Sequence, residues 1–184
     1  MSYITKCKEH YARFFGPEST VRHLEAGPRE KLHPTFFVLE FPPDQVHDFW
    51  IYSTVGMSLD REDTNLIELF IYSPQQDASL VELLTVCASY HRNVLPLNLH
   101  HTVNIGQPWL NNSTCDHAFI SLPYLDGEEL ELLQHTEATT HCYWLIPITK
   151  SERDFKIEQG YEALEDLFEE TRLDYLNPDR ASLV

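Results

Sequence analysis

The sequence predicts an α+β fold: an antiparallel-rich mixed sheet with helices packed on it, in the order αβββαβββα. Two observations carry this. Three segments repeat apolar residues at helical spacing, one at each end of the chain and one in the middle, and between them lie six short runs rich in aromatic and β-branched residues, bounded by proline, glycine and asparagine. Strands and helices in such an order suit an antiparallel-rich sheet with helices on it.

Each element has its own signal. Over residues 3–15, Ile4, Cys7, Tyr11, Phe14 and Phe15 fall on one helical face, and Gly16-Pro17 ends the run. A turn-rich segment with Gly27-Pro28 and His33-Pro34 follows. "TFFVLEF", halted by Pro42-Pro43, "DFWIYSTVGM" and "NLIELFIYS", halted by Pro74, are strands, with the hairpin-like loop "DREDTN" between the second and third. Glu68, the one charge among apolar neighbours in the third, is expected at a wet position. Asp77 or Ser79 caps the middle helix, whose Leu80, Leu83, Leu84 and Cys87 form an apolar face up to about Tyr90. After the Pro96 loop come "HTVNI", "HAFISLPYL" and "CYWLIPIT"; Pro123 and Pro147 mark the last two as edge, bulged or short strands. A single final helix is expected from Ser151, with the apolar stripe Ile157, Tyr161, Leu164, Leu167 and Phe168, before an Asn-Pro stop.

A chain of 184 residues with 42% hydrophobic and 23% charged residues is expected to form one domain, residues 1–184, with a core that needs no disulfide support. The four cysteines, at 7, 87, 115 and 142, include no CxxC pair, and Cys7 and Cys87 fall on apolar helical faces. The start of the chain has no signal-peptide core and no apolar run is long enough for a membrane span, so a reduced, cytoplasmic protein is expected; the formal sequons at Asn111 and Asn112 carry little meaning there. The charge is more telling: 13 Lys and Arg against 29 Asp and Glu give a net −16. Such a chain repels nucleic acid and anionic membrane, which argues against both as partners. Residues 126–172 hold much of the excess, with thirteen acidic and four basic residues.

Chemistry is hard to assemble from this sequence. Six scattered glycines form neither GxGxxG nor GxxxxGK, and GxSxG is missing. His100 and His101 leave opposite faces of a strand, and His101 meets Cys115, Asp116 or His117 only if the hairpin register brings them together. Cys115 beside His117 and Cys142 beside His141 lack a cysteine-protease signature. No acid, base and orienting group can be named together, so no catalytic residue, metal site or cofactor is assigned. "GQPWLNNSTCDH" remains: either Trp109 folds back onto the core, or it is a rigid aromatic anchor at an interface. The acidic final helix likewise reads as a solvated face or as a docking surface for a basic partner; like charges at Glu158–Glu162, Glu162–Asp166 and Glu165–Glu169 slightly oppose the helix.

The blocks "FWIYSTVGMS", "IELFIYSP", "ELLTVCASYHR", "HTVNIGQPWL", "CDHAFISLPYL" and "YWLIPITKSERDFKIEQGYEALEDLFEE", with the ending "LDYLNPDRASLV", resemble bacterial proteins of the suppressor-of-fused domain family. The resemblance runs from about Phe36 to Val184, and residues 1–33 are least diagnostic. It implies a mixed α/β or α+β domain. The family's animal member is a negative regulator in Hedgehog signalling that clamps an extended peptide between two domains, and this chain looks like the amino-terminal one alone. Bacterial members are often regarded as immunity proteins that neutralise a toxin by binding it. The expected function is therefore protein binding without catalysis, against a partner such as a basic toxin domain; the alternatives are capture of an extended peptide at a sheet edge, or a metal or cysteine enzyme. The expected partner-binding residues are His101, Asn104, Trp109, Asp116, Glu165, Asp166, Glu169 and Glu170. Oligomeric state is not readable.

Overall fold

A computed structural model describes residues 1–24, 31–136 and 138–184. The Gly27-Pro28 turn lies outside the described residues. Helix α1 (Tyr3–Phe15), capped by the Ser2 side chain, leads to the short strand β1 (Thr20–Arg22). Strands β2 (Phe37–Phe41), β3 (Trp50–Val55) and β4 (Ile67–Ser73) form an antiparallel run. Helix α2 (Ser79–Asn93) follows, then β5 (Thr102–Asn104), β6 (His117–Ser121), a single turn α3 (Glu128–Glu131), β7 (Leu132–His135) and the long β8 (Ala138–Ile148). Two helices, α4 (Lys150–Gln159) and α5 (Tyr161–Thr171), close the order.

The sheet runs β1-β2-β3-β4-β8-β6-β5, with β7 paired to β8 off that path. The expected class holds: of these pairings, β4 with β8 alone is parallel. Both faces of the sheet are covered. Ile67, Leu69 and Ile71 pack with Leu80, Leu84 and Cys87 of α2 on one side. Phe70, Trp144 and Ile146 pack with Cys7, Tyr11 and Phe15 of α1 and Leu164 of α5 on the other. That coverage explains why β4 is buried at all seven positions instead of alternating.

Several expectations are corrected by this arrangement. Glu68 is not wet: its side-chain parity puts it under α1, and it is fully buried. Oε1 accepts from Tyr3 Oη at 2.7 Å, Gly56 N at 2.9 Å and Met57 N at 3.0 Å, and Oε2 accepts from Thr54 Oγ1 at 2.6 Å. Burial raises its pKa above the ordinary value, although those donors pull the other way. β8 is central, not an edge strand. Pro147 is tolerated because β4 pairs β8 only from His141 to Trp144, so a strand neighbour is lacking where the missing N–H would matter. The single final helix is broken at Gly160, whose φ of 95° belongs to the left-handed region, and a capping box of Thr149 and Glu152 starts α4 one residue before Ser151. Ile157 of the expected stripe is exposed as a result. β1, α3 and β7 are elements the sequence did not announce.

Removing the Glu68 carboxylate strands two backbone N–H groups and the Tyr3 hydroxyl in the core. Glu68→Ala is expected to lower unfolding free energy by about 3 kcal/mol, read from urea denaturation. A second test concerns His91 on α2, where Nδ1 accepts from Leu97 N at 2.9 Å and Nε2 faces Ser58 Oγ at 3.2 Å. Burial, with the Arg61 charge, lowers its pKa from 6.5 to about 4. The folded state thus binds fewer protons than the unfolded chain between these values, so this stability is fully present above pH 6.5 and is lost as pH falls toward 4. His91→Gln should flatten the acid side of the stability profile over that window.

Candidate functional site

On the α1/α5 side of the sheet, α5 does not cover β6 and β8 completely. Leu164 anchors the helix in the core, and the uncovered strip becomes a groove of about 620 Å³. Its floor comes from β8, where period-2 alternation turns Trp144 and Ile146 to this face together. Phe168 of α5 and Leu173 and Tyr175 of the C-terminal segment complete the apolar lining. Trp144 and Tyr175 meet with ring centroids 5.1 Å apart and planes perpendicular. Exposed Tyr124 and Leu125 form the wall beyond β6, and Glu165, Asp166, Glu169 and Arg172 stand along the α5 rim.

Two polar anchors hold the walls. Asp126, next to Leu125, accepts the Tyr72 hydroxyl and sits 3.1 Å from His47 Nε2, which pins the Tyr124–Leu125 loop to β4 and the β2–β3 connection. The C-terminal segment is latched by Arg180, whose Nη1 and Nη2 donate to Glu152 Oε1 and Oε2 at 2.6 and 2.8 Å, while Nη2 also donates to Pro147 O at 3.0 Å. Burial acts to raise the Glu152 pKa, but hydrogen bonds from Arg180 and the Thr149 and Leu183 backbone outweigh it and leave it below the usual value.

At one end of the rim, Glu165 Oε1 accepts from Ser121 Oγ at 2.9 Å, with His100 Nε2 at 3.8 Å. His100 has a φ of 65° and its ring stacks on Tyr161 at 3.6 Å. Burial lowers the His100 pKa despite the pull of Glu165, so the imidazole is neutral at neutral pH and leaves the Glu165 charge uncancelled.

Of the eight residues expected to bind a partner, the fold gathers Glu165, Asp166 and Glu169 at this groove. Glu170 is exposed on α5 outside the lining. His101, Asn104 and Asp116 sit at the far edge of the sheet around β5, with Asn104 opposite His117. There Asn104 Oδ1 accepts from Gly106 N at 2.8 Å and Asp116 Oδ1 lies 2.7 Å from His117 Nδ1. Trp109 is 3% exposed and packs in the core cluster on the opposite face, so its indole is not presented at the surface. Its loop folds back because Trp109 N bonds to Cys115 O at 3.0 Å. All four cysteines are buried and unpaired, and burial pushes the Cys115 thiol up. Among the described residues no group of three or more His, Cys, Asp and Glu side chains could hold a metal ion, and no helix is long and apolar enough to cross a membrane. Sequence reasoning missed Trp144, Tyr124, Arg172 and Tyr175. Strand parity within "CYWLIPIT" was the signal for Trp144; nothing in the sequence marks which side α5 leaves open.

An antiparallel-rich α+β domain with one parallel strand pair and an acidic-rimmed groove is the class these features define. The profile of the suppressor of fused protein (SUFU) family matches residues 33–181, and the chain belongs to that family. A SUFU homologue from Neisseria gonorrhoeae FA 1090 is 32% identical, with a TM-score of 0.86 over 99% of this chain and 97% of that one. A structure of a Sufu–Fu complex matches at 12% identity and TM-score 0.69, covering 98% of this chain and 92% of that chain. Suppressor of Fused from Drosophila matches at 13% identity and TM-score 0.59, over 80% of this chain and 42% of that one. The last two share the fold. No curated protein matches the chain. The family is one concerned with protein interaction.

Arg180→Ala leaves the Glu152 carboxylate buried without its cation. It is expected to cost about 3–5 kcal/mol in chemical denaturation. Cleavage of the segment after Arg172 by a limiting protease should also become faster, because the latch that holds Leu173 and Tyr175 in the groove wall is gone.

Proposed function

We propose that this chain is a protein-binding domain that acts by occupying its partner, and that the groove beside α5 is the binding surface. The observation that carries the reading is the gathering of Glu165, Asp166 and Glu169 over an aromatic floor. A mostly apolar concavity with a few convergent polar groups suits a ligand segment, and a carboxylate rim suits a basic one. Its volume of about 620 Å³ admits a few residues of a partner chain. The net charge of −16 favours fast, salt-sensitive association with a positively charged protein. The family likeness adds support, since one structure of this fold is a complex of Sufu with Fu. The narrower reading is an immunity-type inhibitor: it binds a basic toxin domain and presents carboxylates where that domain would meet phosphates.

A second reading rests on β5. Ile105 N bonds to Asp116 O and Ile120 N to His101 O, so residues 101, 103 and 105 face β6 and the backbone of Thr102 and Asn104 faces outward. That edge suits addition of an extended peptide, with less dependence on salt.

The test is quantitative binding by calorimetry of a partner recovered from the native host, or of a toxin domain encoded alongside. Reversing Glu165, Asp166, Glu169 and Glu170 to lysine is expected to weaken binding by roughly tenfold or more and to flatten its salt dependence. Unchanged affinity in that variant, together with loss of binding on Thr102→Pro or Asn104→Pro, would move the site to the β5 edge. Growth protection against the toxin checks the narrower reading.

A further inference from the structure

The rim of the groove carries a like-charge conflict. Glu165 and Glu169 are i, i+4 neighbours on α5, and Asp166 lies beside them, so the three carboxylates repel one another at the groove mouth. The cation lining that rim, Arg172, lies three residues beyond Glu169 but seven beyond Glu165, about two helical turns away, so the unanswered charge is at the Glu165 end. Glu165 is held by Ser121 Oγ through Oε1 and stands beside the Tyr124 hydroxyl, both neutral donors, and neutral His100 does not discharge it. Below the carboxylates, the partly exposed rings are Phe168 on the helix and Tyr175 on the C-terminal segment; Trp144, buried in the floor, meets Tyr175 at right angles and backs it.

We infer that this part of the groove is a seat for an arginine side chain of the bound partner, a reading that rests on the groove being the binding surface. A guanidinium is planar and weakly hydrated: it stacks on an aromatic face and forks onto carboxylates at its edge. Both complements are present here within one concavity. A lysine ammonium, a compact and strongly hydrated charge, uses the carboxylates but gains less from the rings. The groove is larger than one side chain, and its apolar remainder at Ile146 and Leu173 takes an apolar neighbour of the arginine. The recognised element is thus a short segment in which arginine stands beside an aliphatic residue.

The probes are three capped tripeptides, leucine-X-leucine amides, with X arginine, lysine or citrulline, titrated into the intact chain while the Trp144 indole N–H and the Tyr175 ring are followed by NMR. Citrulline keeps the shape of arginine and removes its charge. The arginine peptide is expected to shift both signals with a dissociation constant on the order of millimolar. Citrulline should bind about tenfold more weakly, and lysine should fall between them. Glu165→Gln with Glu169→Gln should erase the gap between arginine and citrulline while the other amide signals stay in place, which shows that the fold survives. Equal binding of arginine and citrulline, lysine at or above arginine, or no response at Trp144 overturns the seat. Because the tripeptides report on the groove alone, such a failure leaves the protein-binding reading to its own calorimetric test, and a whole partner that binds despite silent tripeptides separates the two.

Discussion

The eleven residues of β8 are the constraint on which the rest of the molecule depends. His141 is opposite Ile67 of β4 and also opposite Leu132 of β7, while Trp144 is opposite Phe70 of β4 and Ser121 of β6. β7 and β6 therefore lie end to end along one edge of β8, and β4 takes the other. The parallel β4–β8 pairing needs a long crossover, and the chain between β4 and β8 supplies it: α2 packs on one face and Leu130 of the α3 turn on the other. Register errors in β8 would exchange Tyr143 and Leu145 with Trp144 and Ile146 and so exchange the two cores. The groove floor is thus a by-product of the same alternation that seals the sheet.

Covering both faces forces every charge near the sheet to be answered internally. Three carboxylates are used in the same way, each to tie a distant segment to a strand. Glu68 joins α1 to the turn after β3, Asp126 joins the loop after β6 to β4, and Glu152 joins the C-terminal segment to the end of β8. An ionised carboxylate is acceptor-only, with room for several donors, so backbone N–H and hydroxyl groups that a closed sheet leaves over can be collected on it. In a chain with so large an acidic excess, these three carboxylates are structural, and the α5 carboxylates are one part of the exposed charge that remains.

What could be read from the sequence follows from these same facts. The α2 face and the strands β2 to β4 were legible because their patterns are set locally, by leucine spacing and by proline stops. Glu68 was misread because a charge in a strand signals solvent only if one face is wet, and nothing local says that α1 returns to cover it. The break at Gly160 was hidden because the apolar positions continue across it with nearly unchanged spacing, from Ile157 to Tyr161 and Leu164. β1, exposed at all three positions, has no apolar pattern to find. At the candidate site the carboxylates of α5 were visible as a cluster, whereas their aromatic floor was not: Trp144 reads as one more core residue in "CYWLIPIT", and Tyr175 as part of a terminal tail. At the Trp109 loop the core alternative holds: the conspicuous tryptophan among turn residues is buried.

The division of labour across the groove follows from solvation. Carboxylates at the floor would have to lose their water before any partner arrived, at a cost that no cation could repay without near-ideal geometry. Placed on the exposed rim, they keep their water in the free protein, and on the proposed reading they act at range on a basic segment. On that reading affinity comes from the apolar lining, where burial contributes roughly 25 cal/mol for each Å² removed from water. Glu165 is the intermediate case: half sunk, held by Ser121 and facing an imidazole that burial keeps neutral. It is less exposed than Asp166 and Glu169, so under the proposed arginine seat its charge is screened least and separates a charged side chain from a neutral one of the same shape.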